Sequence, residues 1–404
     1  MPGYNSQIIE ERLNDKTAGP GCYFFDGSKN EAIKILDHDG SEIEATRELA
    51  ERNKFLENRV VKLRRRVANL DGGSVLTELI DRGIADQHEI SALVRKPYHA
   101  SILKDQGINA IIFKDLDDFD TIRNAAKDHD IVVAAASARH ADCARACLAG
   151  LGERRKATGR ATYYIHTSGA SMVGDWPITG DRVDTKVYSD KHENIFEIER
   201  DWPESFSPVR TVNQVVVETG EKEDVKTYVV SPPLIFGPGT GFFTRGFGQV
   251  HMIIQLSLEK KKSVTIGPGE GVWNRIHIKD LSRLYYLLVQ AVLDGNTELP
   301  NGKTGYFFAE NGAQSWREIS EFVGKIGKEL EVFKTDEVAT ATLQEAADEF
   351  YDGDLRHAEG VLASNSRTSA DNARDVLGWI PAYGEDAFHE DIIDVVSNMA
   401  SQEE

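Results

Sequence analysis

The chain has 404 residues, with 47 basic and 66 acidic side chains and a formal net charge of −19. A hydrophobic content of 40% beside 28% charged residues is typical of a globular protein and excludes wholesale disorder. The acidic composition disfavours nucleic-acid binding, because phosphate contacts need a basic surface. The sequence has neither an apolar run near the roughly 20 residues of a membrane span nor a basic-then-apolar signal segment, so we expect a cytoplasmic protein without a membrane partner.

Cysteine is rare in this chain, which contains only Cys22, Cys143 and Cys147. An odd, sparse set without metal-ligand spacing indicates reduced thiols in an intracellular compartment and predicts no metal site. Cys143 and Cys147 are four residues apart in an alanine-rich stretch, which predicts that they share a helix face as small hydrophobic side chains. A redox role for this pair is the less favoured interpretation.

Residues 1–70 are predicted to form a divergent extension, irregular at its start and helical over 41–70. Leucines recur every seven residues in the helical part, at Leu49, Leu56, Leu63 and Leu70. This spacing is typical of a two-stranded coiled coil. Because only about three heptads are present, two interpretations stay open. The helix either lies on its own domain or joins two chains into a homodimer.

From residue 71 onward, short apolar runs alternate with helical segments. Strands are predicted at 89–95, 110–113, 131–136, 163–166 and 227–230, and helices at 74–82, 121–128 and 141–156. Such alternation indicates parallel strands buried on both faces. The sequence therefore predicts an α/β fold with a Rossmann-type doubly wound parallel sheet over 71–240.

Beyond residue 240, the pattern changes to a smaller α+β substrate lobe over 241–404, interleaved with the sheet. Helices are predicted at 251–259, 281–293 and 316–330, and strands at 264–266 and 306–309. Near the end of the lobe, Gly378 is predicted to stop a helix and Trp379 to enter the core.

Four segments, in order between residues 72 and 384, resemble the extended or atypical short-chain dehydrogenase/reductase superfamily in its fungal-type, NAD-dependent epimerase/dehydratase-like branch. They are 165–169, 230–239, 267–281 and 377–381. Residues 165–169 resemble the strand that ends at the family's active-site serine, here Ser168. Residues 230–239 resemble the strand and turn, with Pro233, that close over nicotinamide and substrate.

The resemblance implies a protein that binds NAD or NADP and transfers a hydride to or from a small carbonyl or alcohol, as an oxidoreductase or epimerase. It implies pyrophosphate at the helix N-terminus opened by Gly72 and Gly73. Ser168 would orient the substrate oxygen. Arg95, at the end of the strand predicted at 89–95, suits the 2′-phosphate of NADP and slightly favours that cofactor, with a solvated basic strand end as the alternative.

Two departures from the family pattern favour a second hypothesis. The earlier glycines of the family's Gly-x-x-Gly-x-x-Gly loop fall on Arg66 and Asn69, and residues 61–65 carry three cations that a buried strand would not hold. The family's Tyr-x-x-x-Lys pair falls on Phe196 and Arg200, which cannot replace its proton transfer.

Tyr188 precedes Phe196 by eight residues and is a weaker candidate for the missing phenol. The alternative function is therefore a catalytically impaired or NAD(P)-sensing scaffold protein of the same fold. Three histidines, His140, His166 and His277, lie in different predicted elements without metal-ligand spacing, so we interpret them as structural.

Overall fold

A computed structural model describes residues 72–180, 182–202, 207–243 and 248–401, all within one compact unit. The predicted extension over 1–70, with its leucine series, lies outside the described residues, as do Cys22, Arg66 and Asn69. Within the described ranges, no helix is long and apolar enough to cross a membrane.

The amino-terminal half alternates strands and helices as predicted. In chain order its elements are α1 (Gly72–Asp81), α2 (Ile84–Gln87), β1 (Ser91–Val94), α3 (Pro97–Asp105), β2 (Asn109–Ile112), α4 (Phe119–Lys127), β3 (Ile131–Ala134), α5 (Ala141–Thr158), β4 (Tyr163–Thr167), β5 (Tyr188–Ser189), α6 (Ile195–Asp201), α7 (Pro208–Glu223), β6 (Lys226–Ser231) and β7 (Leu234–Phe236). Four helices of this half, α2, α3, α6 and α7, have no counterpart among the predicted elements. Helix α7 escapes prediction because it is rich in β-branched valine, which favours strands.

The main sheet has four parallel strands in the order β10-β6-β4-β3, where β10 is Tyr306–Phe308. Strands β4 and β6 lie at its centre and are almost completely buried. A second parallel ladder joins β1 to β2. The predicted doubly wound, Rossmann-type α/β fold is confirmed by these parallel strands and by the fold comparisons below.

The two parallel ladders are separate in the part of the chain that the structure describes. Strand β1 pairs there only with β2, and β3 only with β4. All four residues of β3 are half-buried, whereas the neighbouring β4 is buried from Tyr164 onward. The outer strand β3 is therefore less buried than the central strand β4.

The carboxyl-terminal half is the smaller α+β lobe. Its elements, in addition to β10, are α8 (Gln249–Glu259), β8 (Val264–Ile266), β9 (Val272–His277), α9 (Ile278–Leu293), β11 (Ala313–Ser315), α10 (Trp316–Glu329), β12 (Ala339–Ala341), α11 (Leu343–Phe350), α12 (Leu355–Leu362), β13 (Thr368–Ser369), α13 (Asp371–Leu377) and α14 (Glu385–Ala400). Strand β9 pairs in parallel with β7 and antiparallel with β11, so this lobe mixes strand directions. Strand β10, by contrast, pairs in parallel with β6, so this half of the chain contributes one strand to the main sheet.

The predicted helix stop near the chain end is present. Helix α13 ends at Gly378, whose φ of 61° lies in the left-handed region that favours glycine. Trp379 follows with only 1% of its surface exposed, and its indole N–H donates to the carbonyl oxygen of Asp280 at 2.9 Å. The Asp280 carboxylate accepts the backbone N–H groups of Ala382 and Tyr383, which anchors the segment after the helix.

Helices α4 and α5 pack closely because α5 has a glycine at their contact. A Cβ atom added to Gly150 would lie 2.2 Å from the carbonyl oxygen of Arg123, closer than any side chain permits. A Cβ atom on Gly152 would similarly lie 2.8 Å from the Glu223 carboxylate. The carboxyl-terminal part of α5 is therefore fixed against its neighbours.

Candidate active site

Ser168 lies at the carboxyl end of β4, one of the two central parallel strands. Its backbone N–H donates to the carbonyl oxygen of Val230 at 2.8 Å, which aligns it with the end of β6. The side chain is 2% exposed, and its hydroxyl has no hydrogen-bond partner among the described residues. A buried polar group left unpaired costs about 1–3 kcal/mol. Ligands of open α/β sheets bind at the carboxyl ends of the strands. The position of this hydroxyl therefore suits a hydrogen bond to a ligand.

The segment after Ser168 is tied to the turn that contains Pro233. The backbone N–H of Ala170 donates to the carbonyl oxygen of Pro232 at 2.9 Å. Pro232 and Pro233 connect β6 to β7, so the turn is held beside the serine segment. Two of the segments singled out in the sequence therefore meet at one edge of the sheet.

Helix α1 begins at the same edge. A Cβ atom on Gly72 would lie 3.4 Å from the Cβ atom of Ala135, the residue that follows β3. Among the described residues, the first turn of α1 contains no acidic side chain. The N–H groups and the positive dipole end at a helix start attract an anion. Gly72 and Gly73 therefore fit the role of an anion-binding helix start.

A loop over 237–243 reaches back to α1. The backbone N–H of Thr240 donates to the Ser74 hydroxyl at 2.8 Å, and the Thr77 hydroxyl donates to the Thr240 carbonyl oxygen at 3.1 Å. Gly237 begins this loop with a φ of 86°, and a Cβ atom there would lie 2.2 Å from Nε2 of His277. Only glycine permits this turn, because it has no Cβ atom and tolerates positive φ.

Basic side chains gather at the carboxyl end of β1. Arg95 and Lys96 follow the strand directly, and both are half-buried. The pKa of His99 on α3 is lowered, first by burial and then by the charges of Lys96 and Arg95. The ring of Phe243 stacks on His99 with 4.1 Å between ring centroids. This cluster fits a dinucleotide phosphate near the strand end.

Tyr188 is held away from a proton-transfer role. Its hydroxyl donates to the Asp184 carboxylate at 2.6 Å and lies 3.2 Å from the guanidinium of Arg182. Burial, followed by the neighbouring Asp184 carboxylate, raises the pKa of Tyr188 far above its ordinary value of 10. A phenol with this environment retains its proton.

Phe196 and Arg200 differ in burial, although their spacing of four residues places them on one face of α6. Phe196 is 1% exposed and belongs to the core of the sheet. Arg200 is more than half exposed and forms an ion pair with Glu197 of the same helix. Within the described ranges, no hydrogen bond or ion pair joins either residue to Ser168. The structure therefore does not place them together as an active-site pair.

A buried polar network that the sequence analysis missed lies beneath the serine segment. Arg210 on α7 donates from Nε to the carbonyl oxygen of Met172 at 2.6 Å. Asn213 donates to the Glu199 carboxylate at 2.7 Å, and the Tyr306 hydroxyl donates to its other oxygen at 2.7 Å. Burial raises the pKa of Glu199 to about 8. The sequence signal of this network is Arg210 and Asn213, two polar residues three positions apart on an otherwise apolar face of α7.

The three histidines occupy structural positions. His277 accepts the N–H of Lys279 at the start of α9 and stacks on Tyr383, and burial lowers its pKa to about 4. His140 accepts the N–H of Cys143 and so caps α5. His166 on β4 is 1% exposed, and burial lowers its pKa to about 4.

Comparison with known proteins agrees with this geometry. A family model described as NAD(P)H-binding matches residues 72–170. The oxidase ucsJ of an Acremonium species is 27% identical over 267 residues, which cover 62% of this chain and 74% of that protein. An uncharacterized protein of Schizosaccharomyces pombe is 24% identical over 324 residues, which cover 78% of this chain and 93% of that protein.

Solved structures with the same fold include enzymes named for sugar nucleotides. UDP-glucose 4-epimerase of Thermotoga maritima is 16% identical with a TM-score of 0.51, covering 83% of this chain and 98% of that one. The dTDP-glucose 4,6-dehydratase DesIV of Streptomyces venezuelae, solved with NAD, is 13% identical with a TM-score of 0.55, covering 83% and 95%. The described chain therefore has the fold of these epimerases and dehydratases, as the sequence resemblance predicts, and its residues 72–170 are similar to an NAD(P)H-binding family.

Proposed function

We propose that this protein is an NAD(P)-dependent oxidoreductase that transfers a hydride between a nicotinamide dinucleotide and a small carbonyl or alcohol substrate. The observation that carries the proposal is the buried Ser168 hydroxyl, which lies at the carboxyl end of β4 without a hydrogen-bond partner among the described residues. Similarity to an oxidase and to an NAD-bound dehydratase supports the same reaction class.

The dinucleotide would be held by main-chain and basic groups along the sheet edge. The N–H groups of Gly72 and Gly73 would receive the pyrophosphate at the start of α1. Arg95 would bind the adenosine ribose, and its charge slightly favours the 2′-phosphate of NADP over NAD. Pro233 would border the nicotinamide, whose ring supplies or accepts the hydride when bound.

Ser168 would act on the substrate oxygen. Its hydroxyl donates a hydrogen bond to the carbonyl oxygen, on which negative charge develops as the hydride arrives. A fixed donor in a water-poor site stabilises this charge more strongly than water does, because it needs no reorientation. Removing one such donor typically lowers turnover by about 100-fold or more.

Proton delivery would not follow the family's usual route. Tyr188 is committed to Asp184, Phe196 has no proton to give, and Arg200 lies on the surface. We therefore assign the proton that completes carbonyl reduction to a single water molecule admitted with the substrate at the carboxyl ends of the strands, which leaves as hydroxide. Without a phenol of lowered pKa, this step limits turnover.

The test is consumption of NADPH, followed by its absorbance, with a panel of small aldehydes and ketones. We expect slow turnover that falls at least about 100-fold in Ser168→Ala. Ser282→Ala is the matched control, because that buried hydroxyl on α9 also has no partner among the described residues. Equal losses in both variants, or none in either, would contradict the role of Ser168.

A second candidate is a catalytically impaired or NAD(P)-sensing scaffold protein of the same fold. The observation favouring it is that Phe196, which has no ionisable group, lies in the core, while Arg200 is exposed and paired with Glu197. Saturable nucleotide binding without NADPH consumption across the substrate panel would support this candidate over the oxidoreductase.

A further inference from the structure

The two cysteines of α5 lie near the start of the helix. Cys143 and Cys147 are four residues apart, a spacing that places their side chains next to each other on one face. Both are free, with Cys143 half-buried and Cys147 8% exposed. A pair of neighbouring thiols is a chemical unit, because each can react with an oxidised form of the other.

The surroundings of the pair make its members unequal. Cys143 belongs to the first turn of α5, where its backbone N–H donates to Nδ1 of His140 at 3.1 Å, and Nε2 of that ring lies 3.2 Å from Asp117. The positive end of the helix dipole favours a thiolate in this turn. Interaction with Cys147 lowers the pKa of Cys143, against the opposing effects of burial and of the Asp117 charge, whereas the same interaction and burial raise the pKa of Cys147.

We propose that Cys143 and Cys147 form a peroxide-sensitive dithiol that closes reversibly to a disulfide within α5. The Cys143 thiolate attacks a hydroperoxide, so that a sulfur–oxygen bond forms, the oxygen–oxygen bond breaks, and hydroxide or alkoxide leaves. Cys147 then loses its proton and attacks the Cys143 sulfenic acid, expelling hydroxide, which takes up that proton as water. Overall, two thiols are oxidised and one hydroperoxide is reduced.

Helix geometry makes this disulfide strained. Residues four apart on a helix have Cβ atoms about 5–6 Å apart, whereas a disulfide holds its Cβ atoms about 3.8 Å apart. Gly150 and Gly152 fix the later turns of α5 against α4 and Glu223, so the first turn must move. Strained disulfides are readily reduced, which suits a reversible switch.

The movement would reach the candidate active site. The first turn of α5 follows the 135–140 loop, and Ala135 in that loop lies against Gly72 at the start of α1. Closing the disulfide would therefore disturb the edge at which we propose that the dinucleotide binds. Disulfide formation can nevertheless be tested independently of the proposed function, because its detection requires no enzymatic turnover.

The experiment uses the full chain with Cys22→Ser, which removes the cysteine outside the described residues. The protein is treated with hydrogen peroxide, unreacted thiols are blocked with N-ethylmaleimide, and the products are digested with trypsin. Trypsin cleaves after Arg145, between the two cysteines, so that Cys143 and Cys147 fall in separate peptides, 140–145 and 146–154. We expect these peptides to be joined, with a mass lower by two hydrogens than their sum, and to separate after dithiothreitol.

Two variants separate the steps. In Cys147→Ala, we expect Cys143 to stop at a sulfenic acid that dimedone labels, while the intact pair shows little label. In Cys143→Ala, we expect Cys147 to stay unmodified because it is buried with a raised pKa. Irreversible oxidation of Cys143 without the joined peptides, cross-links between chains, or equal reactivity of Cys147 would overturn the proposal.

Discussion

Replacing Glu199 by glutamine should make the protein more stable at alkaline pH. Glu199 is 1% exposed and accepts hydrogen bonds from Asn213 and Tyr306, yet burial raises its pKa from 4.5 to about 8. Between these values the unfolded chain releases a proton that the folded protein keeps, so folding stability falls as pH rises. Each pH unit removes about 1.4 kcal/mol, and the whole window removes roughly 5 kcal/mol.

Glutamine keeps the shape of the protonated acid and provides both an oxygen for Asn213 and an N–H for Tyr306. The free energy of unfolding, measured by urea titration with tryptophan fluorescence, should therefore be similar for both proteins near pH 5. By pH 8, Glu199→Gln should be more stable than the unaltered protein by several kcal/mol. Glu197→Gln, on the solvent side of the same helix, is the control and should show no such gain. An unchanged pH dependence in Glu199→Gln would refute the reasoning.

The remaining predictions concern packing and cofactor choice. Phe196→Tyr should destabilise the protein by about 1–3 kcal/mol in thermal unfolding, because it buries an unpaired hydroxyl. The same change should not raise turnover, and higher turnover would show that Phe196 faces the substrate. Arg95→Glu should weaken NADPH binding at least about tenfold relative to NADH in fluorescence titrations, since a charge-assisted hydrogen bond is lost. Gly150→Ala should lower the melting temperature through its clash with Arg123, whereas Gly384→Ala, in open space, should be tolerated; equal melting temperatures would contradict the close packing of α4 and α5.

Much of the fold follows from local patterns. The strand predicted at 264–266 has those bounds in the structure, and the helix predicted at 251–259 begins only two residues earlier. Both are short apolar or amphipathic runs with clear ends, where burial and local preference agree. Helix α7 is not predicted because its valines favour strands, while its position is set by packing against α5 and the sheet.

The candidate site is less visible in sequence, because its residues meet only through tertiary structure. Ser168 could be located from the strand that precedes it, since strand ends share one edge of a parallel sheet. The spacing of Phe196 and Arg200 could not reveal that one faces the core and the other solvent. The link between Glu199 and Tyr306 joins residues 107 positions apart, which no local pattern encodes.

Isothermal titration calorimetry of the full chain with NADPH and NADH tests the central claim most directly. If the strand edge around Gly72, Arg95 and Ser168 is a dinucleotide site, heat should saturate at one nucleotide per chain, with NADPH the tighter ligand. Arg95→Glu should reduce or reverse that preference. Absence of saturable heat with either nucleotide would contradict the account.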